Sequence, residues 1–296
     1  MQKKIIIAGG SGFIGTYLTQ KFKSLGYEVL IISRQATHVN WNNAAGMIAA
    51  LENAEMLINL AGKSVDCRYT KNNKQQILSS RIETTNALGE AITQCKNQPV
   101  IWINASTATI YRHAEDRPMT ESDGEIGKGF SVDVATNWEK AFFHFKLRET
   151  RQIALRIAIV LGKDGGVIRP FKNLVRFGLG GKQGNGKQMF SWIHVEDVFN
   201  IILFLQQHPN LSGVFNVAAP NPVTNKILMQ ALRKTMSVKF GLPSPKWLHT
   251  LGAMIIKTET ELILKSRWVI PKKLMLAGYY FTFKTIDEAL KNILTK

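Results

Sequence analysis

The sequence predicts an α/β fold in which helices cover both faces of a doubly wound parallel sheet, followed by a smaller C-terminal lobe. Three observations predict it. A buried-strand pattern at Lys4–Ile7 runs directly into a glycine-rich turn that opens a helix. Strand and helix patterns then alternate as far as Gly162, and the alternation breaks at Gly165. Because alternating strands and helices fold with right-handed crossovers, we expect a parallel sheet of the Rossmann type.

The turn after the first strand carries glycines at the spacing G-x-x-G-x-x-G, at Gly9, Gly12 and Gly15, and a helical pattern follows it up to Gly26. Glycine lets the chain turn tightly, lets a pyrophosphate approach the backbone and lets the helix pack on the strand, while the first N–H groups of the helix face the anion. A glycine triplet alone is a weak signal, but this one follows a buried strand and opens a helix. The turn is therefore predicted to bind a dinucleotide.

The second strand pattern, Val29–Ile32, ends at Ser33 and Arg34, about nineteen residues after Gly15. An enzyme that prefers NAD usually places an acidic residue there, against the ribose 2′-hydroxyl. In this chain the guanidinium of Arg34 can fork onto a 2′-phosphate and Ser33 can donate to it, which favours NADP over NAD. The alternative is that Arg34 simply ends a strand at the surface.

The remaining elements of the first half follow in alternation. They are a strand over Glu55–Gly62, a helix over Lys71–Gln94, a strand over Val100–Ser106, a helix over Asp133–Leu147 and a strand over Ile153–Gly162. Beyond them, the glycine-rich stretch Gly165–Gly186 is predicted as a loop and not as a core element. Such a loop either closes over a ligand or lies on the surface.

These patterns divide the chain at residue 164. Residues 1–164 are predicted to form the NADP-binding Rossmann domain, and residues 165–296 a substrate lobe with a C-terminal helical region. Segments around residues 187–220 are expected to return to the main domain. Apolar residues at helical spacing in the C-terminal region are predicted as core and interface. They are Trp247, Leu248, Leu251, Met254, Ile255 and Ile256.

Composition excludes several classes of protein. With 296 residues, of which 45% are hydrophobic, the chain can bury a full core. Its two cysteines, Cys67 and Cys95, show no metal or redox spacing, so we expect a reduced, cytoplasmic compartment without a disulfide scaffold or a metal site. No secretory leader precedes the first strand, and the apolar run Ile201–Leu205 is too short to span a bilayer, so no membrane association is expected.

The formal net charge is +17, but the lysines are scattered along the chain instead of forming one arm or one helix stripe. Scattered charge is typical of a solvated surface, so specific nucleic-acid binding is not expected. The positive charge would still raise the local concentration of anions such as NADP or an acidic substrate.

Several longer motifs resemble the extended short-chain dehydrogenase/reductases. These are AGGSGFIG at residues 8–15, NLAG at 59–62, NAST at 104–107 and GNGKQMFSWIHVEDV at 184–198. Other motifs resemble one branch of that superfamily: SSRIETT at 79–85, Trp138-Glu139, FGLGG at 177–181, SWIH at 191–194 and IPKKL at 270–274. That branch is the epimerase-like family with a C-terminal domain of unknown function, labelled NAD-dependent epimerase/dehydratase or cell-division inhibitor. The resemblance spans nearly the whole chain.

The resemblance implies an NADP site at the carboxyl edge of the sheet. The residues that would cradle the pyrophosphate are Gly9, Ser11, Gly12, Phe13, Ile14 and Gly15. Ser33 and Arg34 would hold the adenosine ribose phosphate. The residues that would lie beside the dinucleotide at the end of the third strand are Leu60, Ala61 and Gly62. Val160 would end the strand beneath the nicotinamide, and Arg81 either reaches the cofactor or is a surface residue of its helix.

The usual catalytic pair of the superfamily is absent. Ordinary members use a tyrosine and a lysine four residues later, and the lysine lowers the phenol pKa so that the tyrosine acts as general acid or base. Here Val134 and Trp138 fall at the two expected positions. The spacing recurs elsewhere, at Tyr17…Lys21 behind the cofactor turn and at Tyr280…Lys284 near the C-terminus.

Three residues are candidates for catalysis. Ser106 ends the fourth strand, where superfamily members place a hydroxyl that orients the substrate oxygen. Tyr111, in STATIY, resembles the end of their serine-rich Tyr-Gly turn, although Arg112 replaces the glycine. His194, in SWIHVED, could titrate near neutral pH. A structural alternative stays open for each: Ser106 caps its turn, Tyr111 packs, and His194 is a hydrogen-bonded structural residue.

The substrate is expected to be an unidentified small molecule. Nucleotide-sugar epimerases commonly carry an arginine that grips the diphosphate, and Phe190 falls at that position, which argues against a nucleotide-sugar substrate. Cations from the neighbouring loop could compensate. They are Arg169, Lys172, Arg176, Lys182 and Lys187.

Two functions therefore stay open. The first is an NADP-dependent oxidoreductase or epimerase-like enzyme, in which Ser106, Tyr111 or water supplies a proton relay. The second is a non-catalytic NADP-binding sensor or regulatory protein, because the fold alone cannot choose between them. The chain could assemble as a homodimer.

Overall fold

The computed structural model describes residues 2–243 and 265–295 of the chain. Within them the strands are β1 (Lys4–Ala8), β2 (Glu28–Ser33), β3 (Val39–Asn40), β4 (Met56–Asn59), β5 (Ile101–Thr107), β6 (Arg151–Ile157), β7 (Ile159–Gly162), β8 (Gly165–Gly166), β9 (Met189–Phe190), β10 (Trp192–His194), β11 (Gly213–Val217) and β12 (Val223–Thr224). The helices are α1 (Phe13–Ser24), α2 (Ala44–Leu51), α3 (Lys71–Thr93), α4 (Phe130–His144), α5 (Ile168–Arg176), α6 (Val195–Gln207), α7 (Asn225–Thr235), α8 (Lys272–Leu276) and α9 (Ile286–Leu294).

Seven strands form a parallel main sheet in the order β11-β6-β5-β4-β1-β2-β3. The predicted fold class is therefore confirmed. From β1 the chain proceeds outward through β2 and β3, then returns to the other side of β1 to form β4. In open sheets of this kind, ligands bind in the crevice outside the carboxyl ends of the strands where the order reverses.

Both faces of the main sheet are covered because its strands are apolar on both sides. Ile5 and Ile7 of β1 belong to a buried cluster with Phe22 of α1, whereas Ile6 between them belongs to a second cluster with Leu88 of α3. Successive side chains of a strand point to opposite faces, so each face of β1 meets a different helix layer. A sheet buried in this way is typical of parallel α/β proteins.

The predicted strand Ile153–Gly162 is two strands in two different sheets. The backbone N–H of Ala158 donates to the carbonyl of Val217 (2.9 Å), and the chain then leaves the main sheet. β7 pairs with β10 instead, with Val160 opposite Ile193. Every residue from Ile157 to Leu161 is apolar, so the sequence carries no local signal for a change of sheet at Ala158, and the pattern predicts one continuous strand.

The predicted loop Gly165–Gly186 contains the short strand β8 and the helix α5, so this prediction is wrong in part. Ile168 and Val175 lie seven residues apart on one face of α5 and are both buried in the lobe core. The glycine-rich turn after α5 is also held in place, because the N–H of Leu242 donates to the carbonyl of Gly178 (2.7 Å).

The lobe core lies between α5, α7 and α9. Its buried side chains include Val175, Leu228, Leu232 and Leu290. The predicted boundary at residue 164 stays a prediction. Beyond that residue, α6 packs against α1, and β11 forms one edge of the main sheet. The predicted apolar stripe from residue 247 to 256 lies outside the described residues.

Candidate active site

The three glycines of the first turn have different surroundings. Gly9 has a φ of +78°, and a Cβ there would lie 2.8 Å from the backbone nitrogen of Ala61. A Cβ at Gly15 would lie 2.6 Å from the Cα of Gly10. At Gly12 the nearest atom to a Cβ would be the carbonyl oxygen of Gly9, at 3.8 Å. Gly9 and Gly15 are therefore required by the packing of the protein itself, whereas Gly12 leaves open space outside the turn.

That open space adjoins the N-terminus of α1. No side chain caps this helix end at Gly12, and no acidic residue lies in its first turn. The unpaired N–H groups and the helix dipole favour an anion at this position. The turn thus fits the predicted pyrophosphate on two observations, an uncapped helix end and an empty approach at Gly12.

The end of β2 differs in detail from the expectation. Arg34 is exposed, as a phosphate contact requires, and no carboxylate follows the strand. The Ser33 hydroxyl is buried and already bonded, because it accepts from the N–H of Gln35 (3.0 Å) and pairs with Nδ1 of His38 (2.8 Å). Sequence reasoning misses His38, whose position in a loop gives no pattern.

The end of β4 is fixed by a buried amide network. The Oδ1 atom of Asn59 accepts from the N–H of Ala61 (3.0 Å), and its Nδ2 donates to Oδ1 of Asn104 on β5 (2.7 Å) and to Oγ1 of Thr85 on α3 (3.1 Å). These bonds hold the segment Leu60–Gly62 beside the glycine turn. We refer to Gly9–Gly15, Ser33, Arg34 and Leu60–Gly62 as the cofactor cleft; the contacts of its residues with a dinucleotide stay a prediction.

Arg81 lies against this cleft and not on the free surface of α3. Its Cζ lies 3.0 Å from where a Cβ at Gly62 would be, and 5.0 Å from the ring centroid of Trp138. Its Nη1 donates to the backbone carbonyls of Lys63 (3.1 Å) and Ile77 (2.8 Å). Burial lowers the pKa of Arg81 to about 10. The guanidinium stays charged at neutral pH beside the cleft, and its contact with a cofactor stays a prediction.

Ser106 is joined to two charged residues that sequence reasoning misses. Its Oγ donates to Oε1 of Glu139 on α4 (2.6 Å). Arg156 on β6 binds the same carboxylate with both arms, Nε to Oε1 (2.8 Å) and Nη2 to Oε2 (2.8 Å). Ser106 and Glu139 are 4% and 9% exposed, so the hydroxyl and carboxylate are almost withdrawn from water. Glu139 lies within the apolar pattern of α4, and Arg156 lies within that of β6. A charged residue in each of two apolar patterns is the signal that could have indicated a buried ion pair.

Tyr111 completes this network from the other side of Arg156. Its hydroxyl accepts from Nη1 of Arg156 (2.9 Å) and donates to Oδ1 of Asn216 (2.8 Å). Burial raises the pKa of Tyr111, which the charge of Arg156 opposes. The phenol is therefore neutral and its proton is engaged, as in the alternative where Tyr111 packs. We refer to Ser106, Tyr111, Glu139, Arg156 and Asn216 as the buried polar cluster.

His194 ends β10 and caps α6. Its Nδ1 accepts from the N–H of Glu196 (3.1 Å), and its ring lies 3.9 Å from the ring of Phe283, measured between centroids. Burial lowers the pKa of His194, which the charges of Asp197 and Glu196 oppose. A neutral imidazole that caps a helix matches the structural alternative for this residue.

His194 also lines a cavity of about 880 Å³ between the first turns of α1 and α6. Its lining residues include Ser11, Gly12 and Phe13 of the glycine turn, together with Lys163 and Asn292. The lining includes no residue of the buried polar cluster. Of the three catalytic candidates, the structure joins Ser106 and Tyr111 through Arg156 and leaves His194 apart from them.

The positions of the absent catalytic pair and its repeats have structural roles. Val134 and Trp138 are buried, and Nε1 of Trp138 donates to Oγ1 of Thr85 (3.0 Å). Tyr17 donates to Glu196, which also binds Lys21 (2.8 Å), so this pair ties α1 to α6. At the other repeat, Nζ of Lys284 lies 3.7 Å from the ring centroid of Tyr280, and that tyrosine is 77% exposed.

Phe190, at the position of the family arginine, has an arginine as its backbone neighbour. Arg267, from the C-terminal segment, forms a β-bridge with Phe190 and is 6% exposed. Its Nε donates to Oγ1 of Thr109, close after β5. Four of the five cations predicted to compensate are exposed: Arg169, Arg176, Lys182 and Lys187. Sequence reasoning misses Arg267 because it is separated from Phe190 by more than 70 residues.

Within residues 2–243 and 265–295, no group of three or more His, Cys, Asp or Glu side chains is placed to hold a metal ion. In that part of the chain, no helix combines the length and the apolar character needed to cross a membrane. Both cysteines are free thiols.

Comparison with known proteins identifies the family. A model of the NAD dependent epimerase/dehydratase family matches residues 5–129, and a model of a domain of unknown function (DUF1731) matches residues 244–293. The epimerase family protein YfhF of Bacillus subtilis is 34% identical over 98% of this chain and 97% of its own length. The chain belongs to the epimerase family. The resemblance drawn from the motifs is confirmed, including its C-terminal domain.

Solved structures agree with this assignment. The crystal structure of the human epimerase family protein SDR39U1 with NADPH has a TM-score of 0.88 and 29% identity, and the match covers 98% of both chains. The nucleoside-diphosphate sugar epimerase of Corynebacterium glutamicum has a TM-score of 0.79 and 26% identity, over 99% of this chain and 58% of that one. This epimerase family member thus has an NAD(P)-binding Rossmann fold.

Proposed function

We propose that this epimerase family member is an NADP-dependent oxidoreductase or epimerase-like enzyme that acts on a small molecule. The observation that carries the proposal is the end of β2, where the exposed Arg34 follows the strand and no acid does. A carboxylate there would repel a 2′-phosphate, whereas a guanidinium binds it with two parallel bonds. The human relative whose structure contains NADPH supports the same cofactor.

The chain's own residues have distinct tasks in this proposal. The uncapped N-terminus of α1 binds the pyrophosphate across Gly12, and Arg34 binds the 2′-phosphate next to Ser33, whose hydroxyl pairs with His38. A bound nicotinamide supplies hydride transfer to or from a substrate carbon. Ser106, at the carboxyl end of β5, orients the substrate oxygen.

A titration of melting temperature with NADPH, NADP, NADH and NAD tests the cofactor. A ligand that binds the native state raises the melting temperature according to its affinity and concentration. We expect the two phosphorylated dinucleotides to raise it most. Arg34→Ala should weaken NADPH binding about 10- to 100-fold, because a hydrogen-bonded charge contributes about 1.5–3 kcal/mol, and should leave NADH binding unchanged.

Arg148→Ala is the matched control. Arg148 is exposed in the loop before β6, at the opposite edge of the main sheet from the cofactor cleft. Its removal should change neither NADPH nor NADH binding. Equal shifts with all four dinucleotides would contradict the NADP assignment, and no shift with any of them would contradict dinucleotide binding altogether.

The second candidate function is a non-catalytic NADP-binding sensor. It is favoured by the buried Val134 and Trp138 in place of the usual acid/base pair, and by the engaged phenol of Tyr111. A sensor would bind NADPH and turn over no carbonyl or alcohol. Consumption of NADPH with a panel of aldehydes and ketones, followed at 340 nm as is usual for this cofactor, separates the two functions.

A further inference from the structure

Ser106 and Glu139 form a hydroxyl–carboxylate pair at the carboxyl end of β5. The Ser106 hydroxyl donates its one proton to Oε1 of Glu139 at 2.6 Å. A hydroxyl whose proton is engaged offers lone pairs to any other partner. The pair is therefore arranged to accept a hydrogen bond from a substrate hydroxyl.

Arg156 holds the carboxylate of this pair in one position. Its two bonds to Glu139, both 2.8 Å, form a fork on the two carboxylate oxygens. Glu139 in turn raises the pKa of Arg156 above its usual value, against the effect of burial. Arg156 lies directly across from Ser106 in the register of β5 and β6, so the strand pairing fixes the distance between the two residues.

The carboxylate comes from the helix on which the usual catalytic pair is expected. Glu139 follows Trp138, which occupies the position of the absent lysine. Trp138 is itself held by Thr85. Among the described residues, Arg156 on β6 binds the carboxylate of Glu139, and Tyr111 reaches it through Arg156. Arg81 on α3 lies over the ring of the neighbouring Trp138.

We propose that Ser106 and Glu139 form a two-step proton relay that replaces the absent tyrosine–lysine pair, with Ser106 touching the substrate and Glu139 acting through it. The inference rests on the proposed enzymatic function. Glu139 is a positioning residue in this scheme because it orients the serine hydroxyl and takes its proton. Arg156 and Tyr111 keep the carboxylate in place.

The relay is balanced in atoms and charge. When an alcohol is oxidised, its O–H bond breaks and the proton passes to Oγ of Ser106, while the proton of Ser106 passes to Oε1 of Glu139. NADP held in the cofactor cleft would supply the acceptor for the hydride that leaves the substrate carbon, so that a carbonyl compound remains. Glu139 is then a neutral carboxyl that returns its proton through Ser106, either to water after the carbonyl compound has left or, in the reverse reaction, to the alkoxide.

Binding of an alcohol probe tests the relay without any turnover. The probe is 2,2,2-trifluoroethanol, and its affinity for the protein–NADP complex is measured by ¹⁹F NMR at neutral pH. Ser106→Ala should weaken binding about tenfold through loss of one hydrogen bond. Glu139→Gln, which keeps the shape of the side chain and removes its charge, should also weaken binding, because hydrogen bonds to a charged group are stronger. Glu139→Asp retains the carboxylate and should recover part of the affinity.

Controls separate this inference from the proposed function. Glu90→Gln removes an exposed carboxylate of α3 and should retain the wild-type affinity. Ser106→Ala leaves the Glu139–Arg156 pair intact, so it remains informative if Glu139→Gln does not fold. Equal trifluoroethanol binding by wild type and Ser106→Ala, or by wild type and Glu139→Gln, overturns the relay. A wild-type protein whose melting temperature NADPH does not raise overturns the proposed function instead.

Discussion

The cofactor cleft and the buried polar cluster lie at the same edge of the main sheet, yet they are built from different parts of the chain. The cleft consists mainly of backbone at the ends of β1, β2 and β4, and its key positions are exposed or open to solvent, such as Gly12 and Arg34. The cluster consists of side chains from α4, β5 and β6 that bond to one another away from water, as Glu139 and Arg156 do.

A site made of backbone and a site made of buried, charged side chains depend on the fold in different ways. A backbone site needs local geometry, which a short stretch of sequence provides. A buried ion pair needs each partner, because the charge left behind by the loss of one is neither hydrated nor neutralised. We therefore expect changes in the cluster to lower stability most, and changes in the cleft to lower cofactor affinity most.

The largest expected effect is that of Arg156→Leu. Removal of the guanidinium leaves the carboxylate of Glu139 buried and unpaired, so the free energy of unfolding should fall by about 3–5 kcal/mol. Urea denaturation at neutral pH measures it. Arg148 is exposed in the loop before β6, at the amino ends of the main-sheet strands. The free energy of unfolding of Arg148→Leu should stay within about 0.5 kcal/mol of the wild-type value.

A fall of less than about 1 kcal/mol in the free energy of unfolding of Arg156→Leu would contradict the expected difference between the two regions, since the ion pair would then act like an exposed one. Loss of NADPH binding by the folded part of that variant would contradict it as well. In that case the cluster and the cleft would form one unit.

An alanine at each of two glycines gives the next largest effect and sharpens the contrast within the cleft. In Gly15→Ala the new Cβ would lie 2.6 Å from backbone, so the free energy of unfolding should fall by about 1–3 kcal/mol. In Gly12→Ala the nearest atom is 3.8 Å away, so stability without ligand should change by less than about 0.5 kcal/mol. NADPH affinity of Gly12→Ala should nevertheless fall at least about tenfold, because the methyl group enters the space of the pyrophosphate.

Urea denaturation without ligand and melting temperatures with NADPH separate the two variants. A Gly12→Ala protein that binds NADPH like the wild type would show that the anion approaches α1 from another side. A stable Gly15→Ala protein would show that α1 can shift relative to β1.

The smallest expected effect concerns Glu196, which joins α1 to α6 through Tyr17 and Lys21. Burial would raise the pKa of Glu196, but the hydrogen bonds from Lys21 and Tyr17 outweigh it and hold the pKa below the ordinary value of 4.5. A carboxylate whose pKa is lower in the folded protein adds stability above its unfolded pKa, and that stability is lost as the pH falls through the folded value. Glu196→Gln should therefore cost about 0.5–1 kcal/mol at pH 7, as for a partly exposed ion pair, and less at acidic pH.

Urea denaturation of wild type and Glu196→Gln at neutral and acidic pH measures this difference. Glu90→Gln serves as the exposed control and should match the wild type at each pH. If the difference in free energy of unfolding between wild type and Glu196→Gln became larger at acidic pH, it would contradict the assignment of the stabilising charge to Glu196.

The same contrast explains which parts of the molecule the sequence predicts. The glycine turn and the end of β2 are local, so spacing alone predicts the dinucleotide fold and the exposed position of Arg34. The change of sheet at Ala158 has no local signal, because the residues next to it, from Ile157 to Leu161, are all apolar. Ser106 is predicted at the end of β5 by position, but its partners Glu139 and Arg156 are 33 and 50 residues further on. Long-range contacts of this kind depend on packing, which a pattern in one segment does not encode.

The uncapped start of α1 has a consequence for the protein in its cell. Until an anion arrives, the first N–H groups of that helix have no side-chain partner, and the helix end is among the parts of the fold expected to open most readily. A dinucleotide pyrophosphate would act as the missing cap and would favour the closed form by mass action. Locally opened chains are the ones that proteases degrade, so we expect the amount of this protein to follow the supply of its cofactor.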